Sequence, residues 1–277
     1  HRFPMASSLV FLLLVAATAA ADVCPGSKLT PEDRALLLSA HNEFRSKIAL
    51  GHLTGGGILV PAAADMLKME WDCELEMSAQ KWSESVPECE KQHSEAGKTR
   101  PEFTGENIAW NPIQIVYKKN LSDAIVDDYT QWSGEYEVCK FHSSIFPESR
   151  PCPIGHATQM AWGSSYRLGC GINTVCATER FKPWGLSKFL VCQYADQGNI
   201  PGEPIYTEGP AASKCPEGWV GESATGLCVK EGAAPAITTT TAVHSETTTT
   251  PGTAEITTEA PTVTSTTAPS IDEGCEN

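Results

Sequence analysis

Apolar residues recur at helical spacing in three stretches of the chain. Thr30-Pro31-Glu32-Asp33 opens the first: threonine as N-cap, proline in the first turn, acids at the positive end of the helix dipole. Leu37, Phe44 and Ile48 follow at helical spacing, and Gly51 can end the helix. Leu67, Trp71, Leu75 and Trp82 make a second stripe. Ser122 can cap a third helix, which carries Ile125, Tyr129 and Trp132. Stripes of this kind read as core rather than as a cofactor box. A short helix is predicted over 156–162. By contrast, 168–175 and 188–194 are rich in β-branched and aromatic residues and read as strands. Loops separate these elements, notably 54–64 and 87–103. Helices early and in the middle with strands later predict an α+β or layered α-β-α domain.

The pattern changes at both ends. Residues 9–17 form an apolar run with no polar face, followed by Thr18-Ala19-Ala20-Ala21, which reads as a secretory signal peptide cut near Ala21. The run is shorter than the roughly 20 apolar residues that a membrane-spanning helix needs. Residues His1 to Pro4 precede Met5 and read as untranslated leader, so 1–21 is set apart from the fold. Over 232–270 Thr, Pro, Ala and Ser dominate. Such a segment buries too little surface to offset ordering entropy, and it reads as a disordered, mucin-like, O-glycosylated linker.

Composition narrows the class further. All eleven cysteines follow Asp22, and in a secreted chain they are expected in disulfides rather than as metal thiolates. No Cys-x-x-Cys occurs. An odd count leaves one cysteine without an internal partner. Cys275, beyond the linker, reads as the opening of a second domain at 271–277, or as a link between chains. The net charge of −14 argues against nucleic acid, whose phosphates demand Lys and Arg. Lys118-Lys119 and the stretch 180–188 read as solvated surface. Asn120-Leu121-Ser122 is an N-glycosylation acceptor.

The chain contains no nucleophile elbow, zinc-protease helix or phosphate loop. Candidate chemistry rests on His93, Glu106, Glu135 and His156, whose spacing alone does not bring them together. Taken singly, each reads as surface or satisfied core. Ser94 beside His93 invites a serine-protease reading, but adjacency in sequence is not nucleophile–base geometry. His41 lies on the first helix beside core positions and reads as structural.

Several motifs occurring in order resemble the CAP superfamily of cysteine-rich secretory, antigen 5 and pathogenesis-related proteins. They are His41-Asn42-x-x-Arg45, Gly105-Glu106-Asn107-Ile108, the 156–162 segment, and the run from Phe189 to Ile200. With Trp71-Asp72-Cys73, Leu168-Gly169-Cys170 and Glu203-Pro204-Ile205-Tyr206, the chain looks most like the venom allergen-like, activation-associated secreted proteins of parasitic nematodes. The resemblance implies a three-layer α-β-α CAP domain over 22–207, followed by a small Cys-containing extension over 208–231; the lone Cys275 is then expected to open a second, truncated CAP domain at 271–277. It implies that His93, Glu106, Glu135 and His156 meet in a central cleft able to hold zinc or another divalent cation. Gly134 weakens the helix end beside Glu135 by about 1 kcal/mol against Ala, which makes Glu137 a rival. The resemblance further implies that Cys170 pairs with Cys192, with Cys176 close enough to compete, and that Cys215 pairs with Cys228.

A CAP protein of this group is expected to be an extracellular binding module rather than an enzyme. Its expected partners are host proteins or a cell-surface receptor, with a sterol or fatty acid in an apolar groove near 110–117 or the first helix. Two alternatives are a metal-assisted hydrolase built on the His/Glu cluster and a surface-coat glycoprotein that works through its tail.

Overall fold

The computed structural model describes residues 24–86, 91–112, 121–149, 152–176 and 187–232. The expected signal peptide, the Thr/Pro-rich linker, Cys275, Cys89, Asn120 and Lys118-Lys119 lie outside the described residues. Among the described residues, no helix is long and apolar enough to cross a membrane.

Helix α1 spans Pro31–Ala49 and opens with a reciprocal capping box. Thr30 Oγ1 accepts the Asp33 amide at 3.1 Å, and Asp33 Oδ2 accepts the Thr30 amide at 3.2 Å. A small hairpin, β1 (Thr54–Gly55) and β2 (Ile58–Leu59), occupies part of the expected loop. Strand β3 (Glu70–Trp71) then leads into α2 (Cys73–Ser85). The second apolar stripe therefore divides between two elements. Asp72 stops the helix from reaching back to Trp71, because its carboxylate caps the amides of Glu74 and Leu75 at 2.9 and 3.0 Å.

Next come β4 (Thr104–Pro112), α3 (Leu121–Ser133), α4 (Glu135–Val138), α5 (Gly155–Met160), β5 (Arg167–Cys176) and β6 (Ser187–Ala195). The chain then forms a hairpin, β7 (Trp219–Glu222) with β8 (Leu227–Lys230). Ser122 lies inside α3, and its hydroxyl donates to Asp33 Oδ1 at 2.7 Å, tying α3 to the α1 cap.

Four strands form the central sheet in the order β3-β5-β6-β4, with β3 parallel to β5 and the other pairs antiparallel. Alternation along the strands sorts side chains into two layers. Leu168, Cys170, Ile172, Leu190, Cys192 and Tyr194 join Leu37, Phe44 and Ile48 of α1 in the main core. Phe189, Val191 and Ile108 form a second core with Ala79 of α2 and Val86 just beyond it. Gly169 and Gly171 face α2, and a Cβ on either would come within 2.2 Å of the helix backbone at Glu76 or Gln80. Helix α2 thus lies directly on β5. The fold is the expected three-layer α-β-α sandwich, with α2 on one face and α1, α3 and α5 on the other.

Arg45 stitches these layers. It is fully buried, and all five of its N–H groups donate to backbone carbonyls: Leu67 at 2.8 and 2.6 Å, Met160 at 2.9 Å, Trp162 at 2.7 Å and Gly163 at 2.9 Å. One side chain from α1 therefore caps the C-terminal end of α5. Burial pushes its pKa down to about 9, against the opposing pull of Asp65 and Tyr194. Lys188, in a stretch read as solvated surface, is buried as well. Its ammonium contacts Asp128 and donates to the Ala124 carbonyl at 2.8 Å.

Disulfides join Cys24–Cys73, Cys139–Cys152, Cys170–Cys192 and Cys215–Cys228. The third links residues directly opposed on β5 and β6. The 208–231 extension closes onto the main domain. Cys228 donates its amide to Met66 and accepts that of Lys68, both at 2.8 Å, and Leu227 is fully buried in the main core.

Candidate functional site

His93 lies in the loop after α2, and Glu106 is the third residue of β4. Glu106 Oε1 faces His93 Nδ1 at 3.0 Å and accepts the Ser94 amide at 2.8 Å. Its Oε2 accepts the Ser94 hydroxyl and, at 3.0 Å, the amide of Gln193. Gln193 sits opposite Glu106 in the β4–β6 register, so the two side chains share a face. Arg100 holds the loop against the strand, donating to the Ser94 carbonyl, to Ser94 Oγ at 3.1 Å and to the Thr104 carbonyl at 3.1 Å. Burial pushes the Glu106 pKa up, but His93, Ser94 and Gln193 outweigh it and hold the carboxyl below its ordinary value.

The second pair comes from the other side of the sandwich. His156 is the second residue of α5 and Glu135 the first of α4, where the chain turns at Gly134 after α3. Glu135 Oε1 meets His156 Nδ1 at 2.5 Å, and Oε2 accepts the Ala157 amide at 2.9 Å. Trp132, at the end of α3, stacks on the His156 ring with centroids 5.6 Å apart and planes 13° apart. Glu137 takes no part: it accepts Thr54 Oγ1 at 3.3 Å and the Gly57 amide at 3.5 Å on the exposed hairpin side.

The two pairs flank the start of β4. Glu106 points to the α2 face, while the neighbouring Asn107 points to the α1 face. There Asn107 Nδ2 donates to the His156 carbonyl at 3.0 Å and to the Tyr194 hydroxyl at 3.1 Å. His41 closes this network, with Nε2 2.9 Å from the same hydroxyl and Nδ1 2.7 Å from the Leu37 carbonyl. Burial lowers its pKa to about 4, so it is a neutral core residue.

Both outer histidines turn Nδ1 toward a carboxylate. That acceptor selects the Nδ1–H tautomer and leaves the Nε2 lone pair for another bond. Two neutral imidazoles oriented in this way suit a divalent cation of zinc type, with the carboxylates behind them. Among the described residues, the one set of three ligating side chains with atoms within 4.8 Å of one another is Cys24, Cys73 and Glu76. Its sulfurs are joined as a disulfide and offer no thiolate. The four predicted residues form two separate His–Glu pairs, His93 with Glu106 and His156 with Glu135.

Sequence reasoning missed the supporting set. Ser94 drew notice as a nucleophile, yet its hydroxyl donates to Glu106 rather than to His93. Gln193 could have been found from strand pairing with Glu106, which requires β4 to be recognised as a strand. Arg100 carried no signal in the sequence, and Trp132 was read as core alone.

The family model described as the cysteine-rich secretory protein family, CAP, matches residues 38–194. Ancylostoma secreted protein of Ancylostoma caninum is 37% identical over 213 residues, covering 74% of this chain and 46% of that protein. The chain thus spans about half the length of this relative. The crystal structure of Na-ASP-1 superposes with a TM-score of 0.64 at 35% identity, covering 75% of this chain and 49% of the other. The crystal structure of NaASP2 with Zn2+ superposes at 0.62 and 30% identity, covering 74% of this chain and 100% of the other. With the family model matching more than half of a chain that folds as this sandwich, the protein belongs to the cysteine-rich secretory protein (CAP) family.

Proposed function

We propose that this chain is a secreted binding module acting outside the cell that makes it, at a parasite–host interface, toward host proteins or a cell-surface receptor. In this reading His93 and His156 hold a divalent cation, with Glu106 and Glu135 as the carboxylates that orient them. One observation carries the proposal: each imidazole presents Nδ1 to a carboxylate, which keeps Nε2 for a ligand. Two relatives support it, one named as secreted and one solved with Zn2+. The cation would supply a Lewis-acidic position for an oxygen ligand.

A serine-based hydrolase finds no support in the geometry, since no Ser94–His93 hydrogen bond forms and the hydroxyl serves Glu106. A metal-assisted hydrolase would use the same histidines and is the second reading. A sterol or fatty acid needs an apolar groove. Leu37, Phe44 and Ile48 of α1 are spent on the core, Trp110 packs on the α2-side cluster, and 113–117 lie outside the described residues. A surface-coat role would rest on the linker, which also lies outside them.

Elemental analysis with native mass spectrometry, before and after chelation at neutral pH, tests the metal reading. Wild type should retain one zinc, and His93→Ala/His156→Ala should retain none while staying folded. A folded wild type without stoichiometric metal would refute it. Hydrolysis that depends on both histidines would favour the enzyme reading.

A further inference from the structure

The two half-sites are built unequally. The His93 side chain is 56% exposed and meets Glu106, with no ring stacked on it among the described residues. The His156 side chain is 26% exposed and is held on two sides. Glu135 fixes its edge through Nδ1, and Trp132 covers its face. Trp132 is itself 3% exposed within the main core, so its own rotamer is set by packing.

The ring of a histidine turns about a broad, roughly two-fold torsion. A stacked neighbour selects the ring plane but does not distinguish the two flips. A carboxylate at Nδ1 selects the flip but tolerates a swing of the plane. Trp132 and Glu135 lie three positions apart, on either side of Gly134, and together they remove both freedoms. Asn107 adds a tether at the His156 carbonyl. An imidazole held this way loses little entropy when Nε2 takes a ligand, whereas His93 must be ordered at that moment.

We propose that Trp132 is a positioning residue that makes His156 the anchoring ligand of the site, with His93 completing it. This rests on the metal reading above, and its test separates the two.

The experiment uses the full secreted chain. Ring-nitrogen NMR of His156 in metal-free protein reports tautomer and order, and calorimetric zinc titration reports affinity. Wild type and Trp132→Phe, which keeps an aromatic face, should show one Nδ1–H tautomer at His156. Trp132→Leu should show a mixture and bind zinc about tenfold more weakly, the usual scale for losing a residue that supports a ligand. His156→Ala should abolish binding, and His93→Ala should leave a weaker site. Unchanged His156 signals and unchanged affinity in folded Trp132→Leu would overturn the proposal. Equal losses in the two histidine variants would also overturn it, and that comparison decides the matter even if Trp132→Leu fails to fold. A wild type that binds no zinc sinks the metal reading and the anchoring role with it. The NMR comparison then still decides whether Trp132 orients the ring.

Discussion

Replacing Arg45 by methionine keeps the aliphatic stem in its slot and deletes five donors. Four carbonyls lose a partner. Two of them keep another, because Gly163 also accepts the Leu67 amide at 3.1 Å and Trp162 the Ser165 amide at 3.1 Å. The carbonyls of Leu67 and Met160 bear the main loss. A buried acceptor left unsatisfied costs about 1–3 kcal/mol, so the pair costs about 2–6 kcal/mol. Removing a desolvated charge offsets part of this, and about 3 kcal/mol is the expected net. Domains are stable by about 5–15 kcal/mol, so Arg45→Met should forfeit a large share of the fold's stability. Urea unfolding with disulfides intact measures the loss as a lower midpoint at unchanged slope. Arg45→Lys, with three donors, should lose less than Arg45→Met. Because Arg45 caps α5, which carries His156, zinc affinity should fall in parallel. An unfolding free energy within about 1 kcal/mol of wild type, the cost of a single hydrogen bond, would refute the stitching role.

His41 supplies a pH prediction. Its folded pKa of about 4 lies below the ordinary value of 6.5, so between these values the unfolded chain binds more protons and stability falls as pH falls. The full loss is on the order of 3 kcal/mol, and His41→Gln should flatten the stability–pH curve over that window in urea titrations. Glu135→Gln should weaken zinc binding about 10- to 100-fold, whereas Glu137→Gln should leave it unchanged; calorimetry on both variants separates the two carboxylates. Leu227→Ala should cost about 2–5 kcal/mol in denaturant unfolding, because the hairpin completes the main core rather than hanging from it. A cost near zero would make the 208–231 segment an appendage.

Elements with a one-sided signal were legible in the sequence. Helix α1 announces itself through Thr30, Pro31 and Asp33, and its helical spacing survives into the structure. Strands β5 and β6 show their β-branched runs. Strand β4 does not, because Asn107 and Ile108 point to opposite faces and both are buried, so no alternation of polar and apolar marks it. The break at Asp72 was hidden by an apolar stripe that runs across a strand and a helix. Lys188 was misread because its charge is neutralised by Asp128, a residue 60 positions away.

By itself the sequence determined what depends on near neighbours and composition: the Thr30 cap and the run of α1, the charge, and the motifs whose resemblance names the four candidate site residues. Only the tertiary structure decided how those four pair. His93 meets Glu106 from 13 residues away and His156 meets Glu135 from 21, and each contact rests on strand register and helix packing rather than on spacing. The choice of Glu135 over Glu137 was likewise tertiary. Two carboxylates two residues apart in a short helix point in different directions, and packing alone sets which one meets the histidine.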